Sequence, residues 1–517
     1  MSRSLRASRL TRTVLVLVSA FGLLPVLFLL TKSLDNLDAG RVLLEQQTWV
    51  ALGRTLALGA ATGLFSAMVA LPLAWWTHAT DLPGRRFFRV ALNLPLAVPS
   101  YVGGFVILLA FAKGGLWESV LGRPVPVYGF LGAFLAISFS FPLALLNIQS
   151  ALGRVDPRLW DAARGLGATP WRAFWKVIFP QLRPAMFRGG LLVALYALGD
   201  FGAVSLLRYR SLSYLIYVRF QSLFGREEAL WLSVLLLIIA ILFVGLAVRV
   251  GGHRVASLTT ASTARSWPVI RLGRARLFAF AVCSAVVLCG VVLPVAVVLY
   301  WLVRGYTQGN PPELEWLTVW DSTWIAGCAS AGIVMVAVIP TIVSRYARHA
   351  QSSWFHQLML HMGYALPGIV VALSFISVST QWLPFLYQTF ILLFVAYAVR
   401  FLPLAIHTME DALASQSQNL FRAARSLGCT PAQAVFRVIL PEMKPAIMLA
   451  FAALFIAILK ELPLTLLVRP IGTETFATQI WELTEDAYFG AASISVILLL
   501  AVATLGLLWR PRERTAK

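Results

Sequence analysis

Acidic residues are scarce in this chain of 517 residues: 22 Asp and Glu stand against 43 Lys and Arg, a formal net charge of +21. Charge of either sign is thin, at 13% of residues, while 59% are hydrophobic. That balance excludes a water-soluble globule of this size, which would lack the polar surface to cover itself. The four cysteines (Cys283, Cys289, Cys328, Cys429) fall in predicted spans or a loop without metal spacing, so no disulfide framework or thiolate metal site is implied. The six histidines (His78, His253, His349, His356, His361, His407) are scattered without ligand spacing and read as interfacial. No G-x-x-x-x-G-K-[ST] loop occurs, so the chain does not cradle nucleotide in that way. No Ser-His-Asp arrangement, paired-carboxylate motif or cofactor fingerprint supports an enzyme.

Long apolar runs are abundant. Spanning about 30 Å of hydrocarbon takes roughly 20 residues, and such runs recur near 13–31, 50–76, 88–112, 127–149, 186–207, 229–248, 277–303, 322–344, 357–379, 386–407, 446–468 and 488–509. The expectation is an all-α polytopic membrane protein with about 12 transmembrane helices. The basic start and first run resemble a signal peptide, but no small-x-small site follows, so an uncleaved first span is expected. With Arg3, Arg6, Arg9 and Arg12 in the cytoplasm, that side also receives Arg85, Arg86, Arg89, the 249–276 segment, Arg345, Arg348 and the tail from Arg510 to Lys517. The positive-inside bias thus accounts for the basic excess, with both termini cytoplasmic and a lipid bilayer, not nucleic acid, as partner.

The chain repeats itself. Asp161 to Ala185 reads DAARGLGATPWRAFWKVIFPQLRPA and Arg422 to Ala446 reads RAARSLGCTPAQAVFRVILPEMKPA, at a constant offset of 261 that carries Gly167 to Gly428 and Pro180 to Pro441. Upstream, Thr55, Gly59, Pro72 and Pro99 recur at an offset of 268 as Thr323, Gly327, Pro340 and Pro367. The loss of seven residues between these blocks fits an outward loop around Lys113 to Pro126. Two halves follow, 1–250 and 277–517, joined by a polar linker at 251–276. Six spans per half, an even number, make the repeat parallel, so both copies of the polar segment face the same side.

Each polar segment (156–185 and 417–446) reads as two short helices around a glycine. Asp156-Pro157 and Ser417 are capping signals; Ala162, Ala163 and Ala423, Ala424 give smooth helix faces; Gly167 and Gly428 end the first helix; Thr169-Pro170 and Thr430-Pro431 start the second. Pro180 and Pro441 are expected to close it. An ordinary surface helix pair would explain one copy, but two gapless copies in symmetric positions point to docking on something in the cytoplasm.

The spacing Ala-Ala-x-x-x-Gly, nine residues, then Val-Ile-Phe-Pro or Val-Ile-Leu-Pro resembles the EAA loop of permease subunits of binding-protein-dependent ABC importers. Asp161 matches the acidic start of that motif in one copy, and Arg422 stands there in the other. The resemblance covers essentially the whole chain. It implies a type I ABC importer permease fold, with the loops as coupling helices seated on two cytoplasmic ATPase subunits that use the ATP. It also implies a periplasmic substrate-binding protein, a bacterial inner (plasma) membrane location and no cofactor bound by this chain.

Charges inside later spans are costly and informative. Asp200 aligns with Glu461 and Arg208 with Arg469, each half placing a carboxylate and then an arginine near the outer end of its fifth span. They either form interhelical salt bridges or line a translocation path. The segments LGDFGAVSLL and KELPLTLLVRPIGTETFATQIW around them are similar to fused ferric-iron importer permeases, which implies iron(III) as cargo passing without a stable cage. Thiamine importer permeases share part of the pattern. From another class, a secondary transporter of six plus six spans is the alternative, although it has no need of the two loops.

Overall fold

The computed structural model describes residues 21–111, 115–123, 125–222, 224–251, 267, 269–307, 315–346, 366–413 and 419–508. Among them the structure is helical, and the β-type pairing recorded is an isolated bridge between Thr80 and Ile270. Six helices among the described residues are long and apolar enough to cross a membrane, or up to eight if each of two bent pairs counts as one span. Twelve is therefore not reached by helix length and composition, and the reason is local. The run expected at 88–112 is cut around Pro95 and Pro99 into Arg85–Ala91, Leu94–Ala97 and Ser100–Phe111, because proline lacks the donor a continuing helix needs. The runs at 186–207 and 446–468 are broken at Asp200 and at Lys460 to Leu462. The runs at 13–31 and 357–379 lie partly outside the described residues.

The duplication read from the sequence reappears as matched elements. Gln46–Ala79 corresponds to Trp316–Tyr346, Arg158–Gly165 to Asn419–Ser426, Pro170–Ala173 to Pro431–Ala434, and Gly202–Leu206 to Pro463–Val468. One pair differs: Phe130–Ser138 and Pro142–Leu152 are bent by 40°, whereas Phe390–Leu413 runs unbroken.

Helices in lipid are held by close packing rather than by a hydrophobic drive between them. In the first half, Gly63 faces Gly190 so closely that a Cβ on Gly63 would lie 2.5 Å from the Gly190 carbonyl oxygen. Helices Gln46–Ala79 and Phe179–Gly199 therefore touch backbone to backbone. Leu64, Leu242, Leu277, Met335 and Leu505 remain more than half exposed, as a surface facing hydrocarbon would be. The larger apolar core draws residues from both halves.

Most of the expected linker lies outside the described residues, but its end is seated. Trp267 is buried against Trp75, with ring centroids 5.6 Å apart, and donates its indole N–H to the Leu152 carbonyl at 3.2 Å. Ile270 then exchanges backbone bonds with Ala79 and Asp81. Trp75 also packs on Trp160 and Phe174, so this strap rests on the same aromatic group that supports the first polar loop.

Candidate functional site

The two polar loops fold alike because their chemistry is local. Helix Arg158–Gly165 begins with the Asp156 carboxylate accepting the Arg158 N–H at 2.9 Å; its counterpart Ser417 lies outside the described residues. Both first helices end at a left-handed glycine, φ 83° at Gly167 and 86° at Gly428. The next N–H reaches back five residues, Ala168 to Ala163 and Cys429 to Ala424, each at 3.1 Å. This is the Schellman closure that satisfies the last carbonyls of a helix. Arg164 and Arg425 then clamp the turn by donating to the carbonyls of Ala168 and Cys429. Thr169 and Thr430 cap the second helices, the latter with Gln433 as a reciprocal capping box.

Pro180 and Pro441 do not close those helices as expected. Each second helix passes through a π turn, Phe174–Ile178 and Val435–Ile439, and each proline sits in the first turn of the segment that follows. The wider turn absorbs an extra residue, so a residue without an N–H is tolerated there.

Asp161, Ala162, Gly167, Pro180, Ala423, Gly428 and Pro441 are exposed, Ala163 is half-buried and Ala424 buried. The side chain of Arg422 lies outside the described residues. A Cβ on either Gly167 or Gly428 would meet nothing within 4 Å, so glycine is needed there for its backbone angle. Sequence reasoning passed over the leucines beside them. Leu166 is 89% and Leu427 85% exposed, and Trp175 and its counterpart Phe436 are exposed as well. Exposed apolar side chains grouped at matched places mark an interaction surface; the signal available was the same leucine before each glycine.

The second constellation sits where the fifth span of each half breaks. Asp200 Oδ1 accepts the N–H of Ala203 at 3.0 Å, and Glu461 Oε1 that of Leu464 at 3.3 Å, so each carboxylate caps the short helix after it. The halves then part. Glu461 forms an ion pair with Arg400, whose Nη1 occupies the space a Cβ on Gly368 would need. At the repeat-related positions the first half has Phe139 and Ser100, neither of them charged. Neither carboxylate pairs with the arginine eight residues on. Arg208 lies over the Tyr128 ring, and Arg469 binds Glu482 and Thr478. Arg400 was legible as the one Lys, Arg, Asp or Glu in the run from Phe390 to Ile406, but its partner was not.

The breaks also join the halves. Lys460 donates to the Leu96 carbonyl at 3.1 Å, Trp481 to the Ser205 hydroxyl at 2.9 Å, and Gly202 packs between Tyr101 and Leu462.

A multi-pass helical protein with two matched polar loops and two matched intramembrane breaks is a duplicated membrane permease. Residues 70–257 and 337–510 match the family of the binding-protein-dependent transport system inner membrane component, and the chain belongs to that family. It is a non-catalytic transport subunit of an ABC importer of the inner membrane, a system that works with an ATPase and a binding protein. The chain is 31% identical over 421 residues, 81% of its length and 80% of the relative's, to the Fe(3+)-transport system permease protein FbpB 2 of Haemophilus influenzae. Over single-half stretches it is similar to two sulfate permeases. It is 33% identical over 35% of its length to the probable sulfate transport system permease protein cysT of Chlorokybus atmophyticus, covering 65% of that protein. With the sulfate transport system permease protein CysT of Escherichia coli it shares 31% identity over 35% of its length, covering 68% of that protein.

Proposed function

We propose that this chain supplies both membrane halves of an ATP-driven importer of iron(III), with an ATPase subunit beneath each of its two loops. A periplasmic binding protein delivers the cargo from outside, and both termini lie in the cytoplasm. The observation that carries the reading is the match of the two loops in the threonine cap of the second helix, glycine angle, arginine clamp and π turn. A lever must be stiff to pass on a displacement, and a segment closed at both ends by hydrogen bonds is stiff. In this reading Asp161, Ala162, Ala163, Gly167 and Pro180, with Arg422, Ala423, Ala424, Gly428 and Pro441, form the coupling surfaces, and Leu166 and Leu427 are the apolar knobs that enter the ATPase. Alternating access then follows from rocking one half against the other. Iron is favoured over other cargo by the relative that matches across both halves.

The test is reconstitution of the chain with its ATPase and binding protein in proteoliposomes. Iron(III) uptake should require ATP inside, and Leu166→Asp or Leu427→Asp should each lower ATPase association. Uptake driven by an ion gradient without ATP would support a secondary transporter instead.

A further inference from the structure

The central constellation is asymmetric in a way that the repeat makes readable. In the second half the carboxylate is spoken for: Glu461 holds Arg400, Gly368 leaves the space for that guanidinium, and Tyr397 is bonded to Thr465 at 2.6 Å. In the first half no Lys, Arg or His among the described residues pairs with Asp200, which is buried. Lys460, beside Glu461 in the second half, donates to the Leu96 carbonyl.

Two phenols accompany Asp200. Tyr196 lies four residues before Asp200, one turn back on helix Phe179–Gly199, and is 38% exposed. Tyr101 is 2% exposed, packs on Gly202 two residues after Asp200, and its hydroxyl has no hydrogen-bond partner. Buried hydroxyls are almost always bonded, so this orphan points to a missing ligand. The repeat-related residues of the second half are Ile369 and Ala457, which offer no side-chain oxygen.

We propose that the first half alone makes the passing contact with the cargo, a hard cation that meets Asp200, Tyr101 and Tyr196, while Arg400–Glu461 is a structural clamp. Carboxylate and phenol oxygens suit a hard cation. No group of three or more His, Cys, Asp or Glu among the described residues could hold a metal, so the contact is suited to transit rather than storage. This rests on the importer reading above.

In the reconstituted complex, Asp200→Asn should lower the initial rate of iron(III) uptake at least tenfold and Tyr101→Phe several-fold, at undiminished yield of assembled complex. The double variant Arg400→Gln/Glu461→Gln should keep at least half the wild-type rate. Unchanged uptake in Asp200→Asn would overturn the proposal, as would a folded double variant as impaired as Asp200→Asn. A faster rate in Asp200→Asn together with loss of uptake in Lys460→Gln would also overturn it, by identifying an anionic cargo. As a second readout, terbium(III) added to the purified chain should give tyrosine-sensitised luminescence that Asp200→Asn and Tyr101→Phe diminish. A signal unchanged by both substitutions counts against the site. Wild-type complex that takes up no iron with ATP defeats the importer reading, and the terbium signal then still decides whether these oxygens bind a hard cation.

Discussion

The two polar loops should fail in an order set by backbone angle, not by side-chain size. Gly167 and Gly428 lie at φ 83° and 86°, where an L side chain costs about 1–2 kcal/mol, and where a Cβ meets nothing within 4 Å. The whole cost is therefore conformational. It can be relieved only by opening the bonds from Ala168 to Ala163 or from Cys429 to Ala424, which would shift the closed loop toward the open one by roughly 5- to 30-fold. Asparagine adopts the left-handed region more readily than alanine, and a β-branched residue adopts it least. ATPase affinity of the purified permease should then fall in the order Gly, Asn, Ala, Val at either position, with insertion into the membrane unchanged. The two loops are separate sites, so the effects of double substitution should add in free energy. Affinity measured by titration with the isolated ATPase, beside uptake in proteoliposomes, checks this. If Ala binds better than Asn, side-chain bulk against the partner controls the site and the backbone argument is wrong; normal binding and transport in all variants would remove the lever altogether.

Three other perturbations have outcomes readable from the structure. Gly63→Leu drives a side chain into the Gly190 carbonyl and should lower the melting temperature in detergent or abolish folded protein, as overpacking costs about 1–3 kcal/mol; Gly327→Leu, with nothing within 4 Å, should leave it unchanged. Glu461→Gln strands Arg400 and should cost about 3–5 kcal/mol of stability, seen as loss of monodisperse protein that Arg400→Gln in the same chain restores. Trp267→Ala empties the aromatic seat shared with Trp75, and amide exchange across Arg158–Gly165 should quicken while Asn419–Ser426 keeps its rate.

The loops were largely legible in the sequence because a cap, a Schellman turn and a capping box each involve residues three to five apart. Their stereochemistry can be read from Thr169, Gly167 and Gln433 without knowing the fold. The π turns were not legible, since Pro180 and Pro441 look like stops until the extra residue upstream is seen. The fifth spans were read as continuous for a related reason. Asp200 and Glu461 were weighed as intramembrane charges, whereas each also caps a new helix, and a capping residue inside an apolar run is a sign of a break. The Arg400–Glu461 pair, 61 residues apart, depends on which helices touch, and no local pattern contains that.

Fusion of the halves gives the central asymmetry a physical rationale. A permease built from two copies of one half repeats every intramembrane charge across its axis. With the first-half set it would hold two uncompensated carboxylates near one another, each costly in a membrane and repelling the other. With the second-half set it would hold two clamped pairs, stable but with no carboxylate left to meet a cargo. One chain carrying both halves is free of that constraint. Ser100, Phe139 and Asp200 on one side and Gly368, Arg400 and Glu461 on the other keep the same helix break and the same cap, yet only one side pairs its carboxylate with an arginine. On the proposed reading, stability at the breaks and a carboxylate open to the cargo then coexist, because the two demands fall on different copies of the same motif.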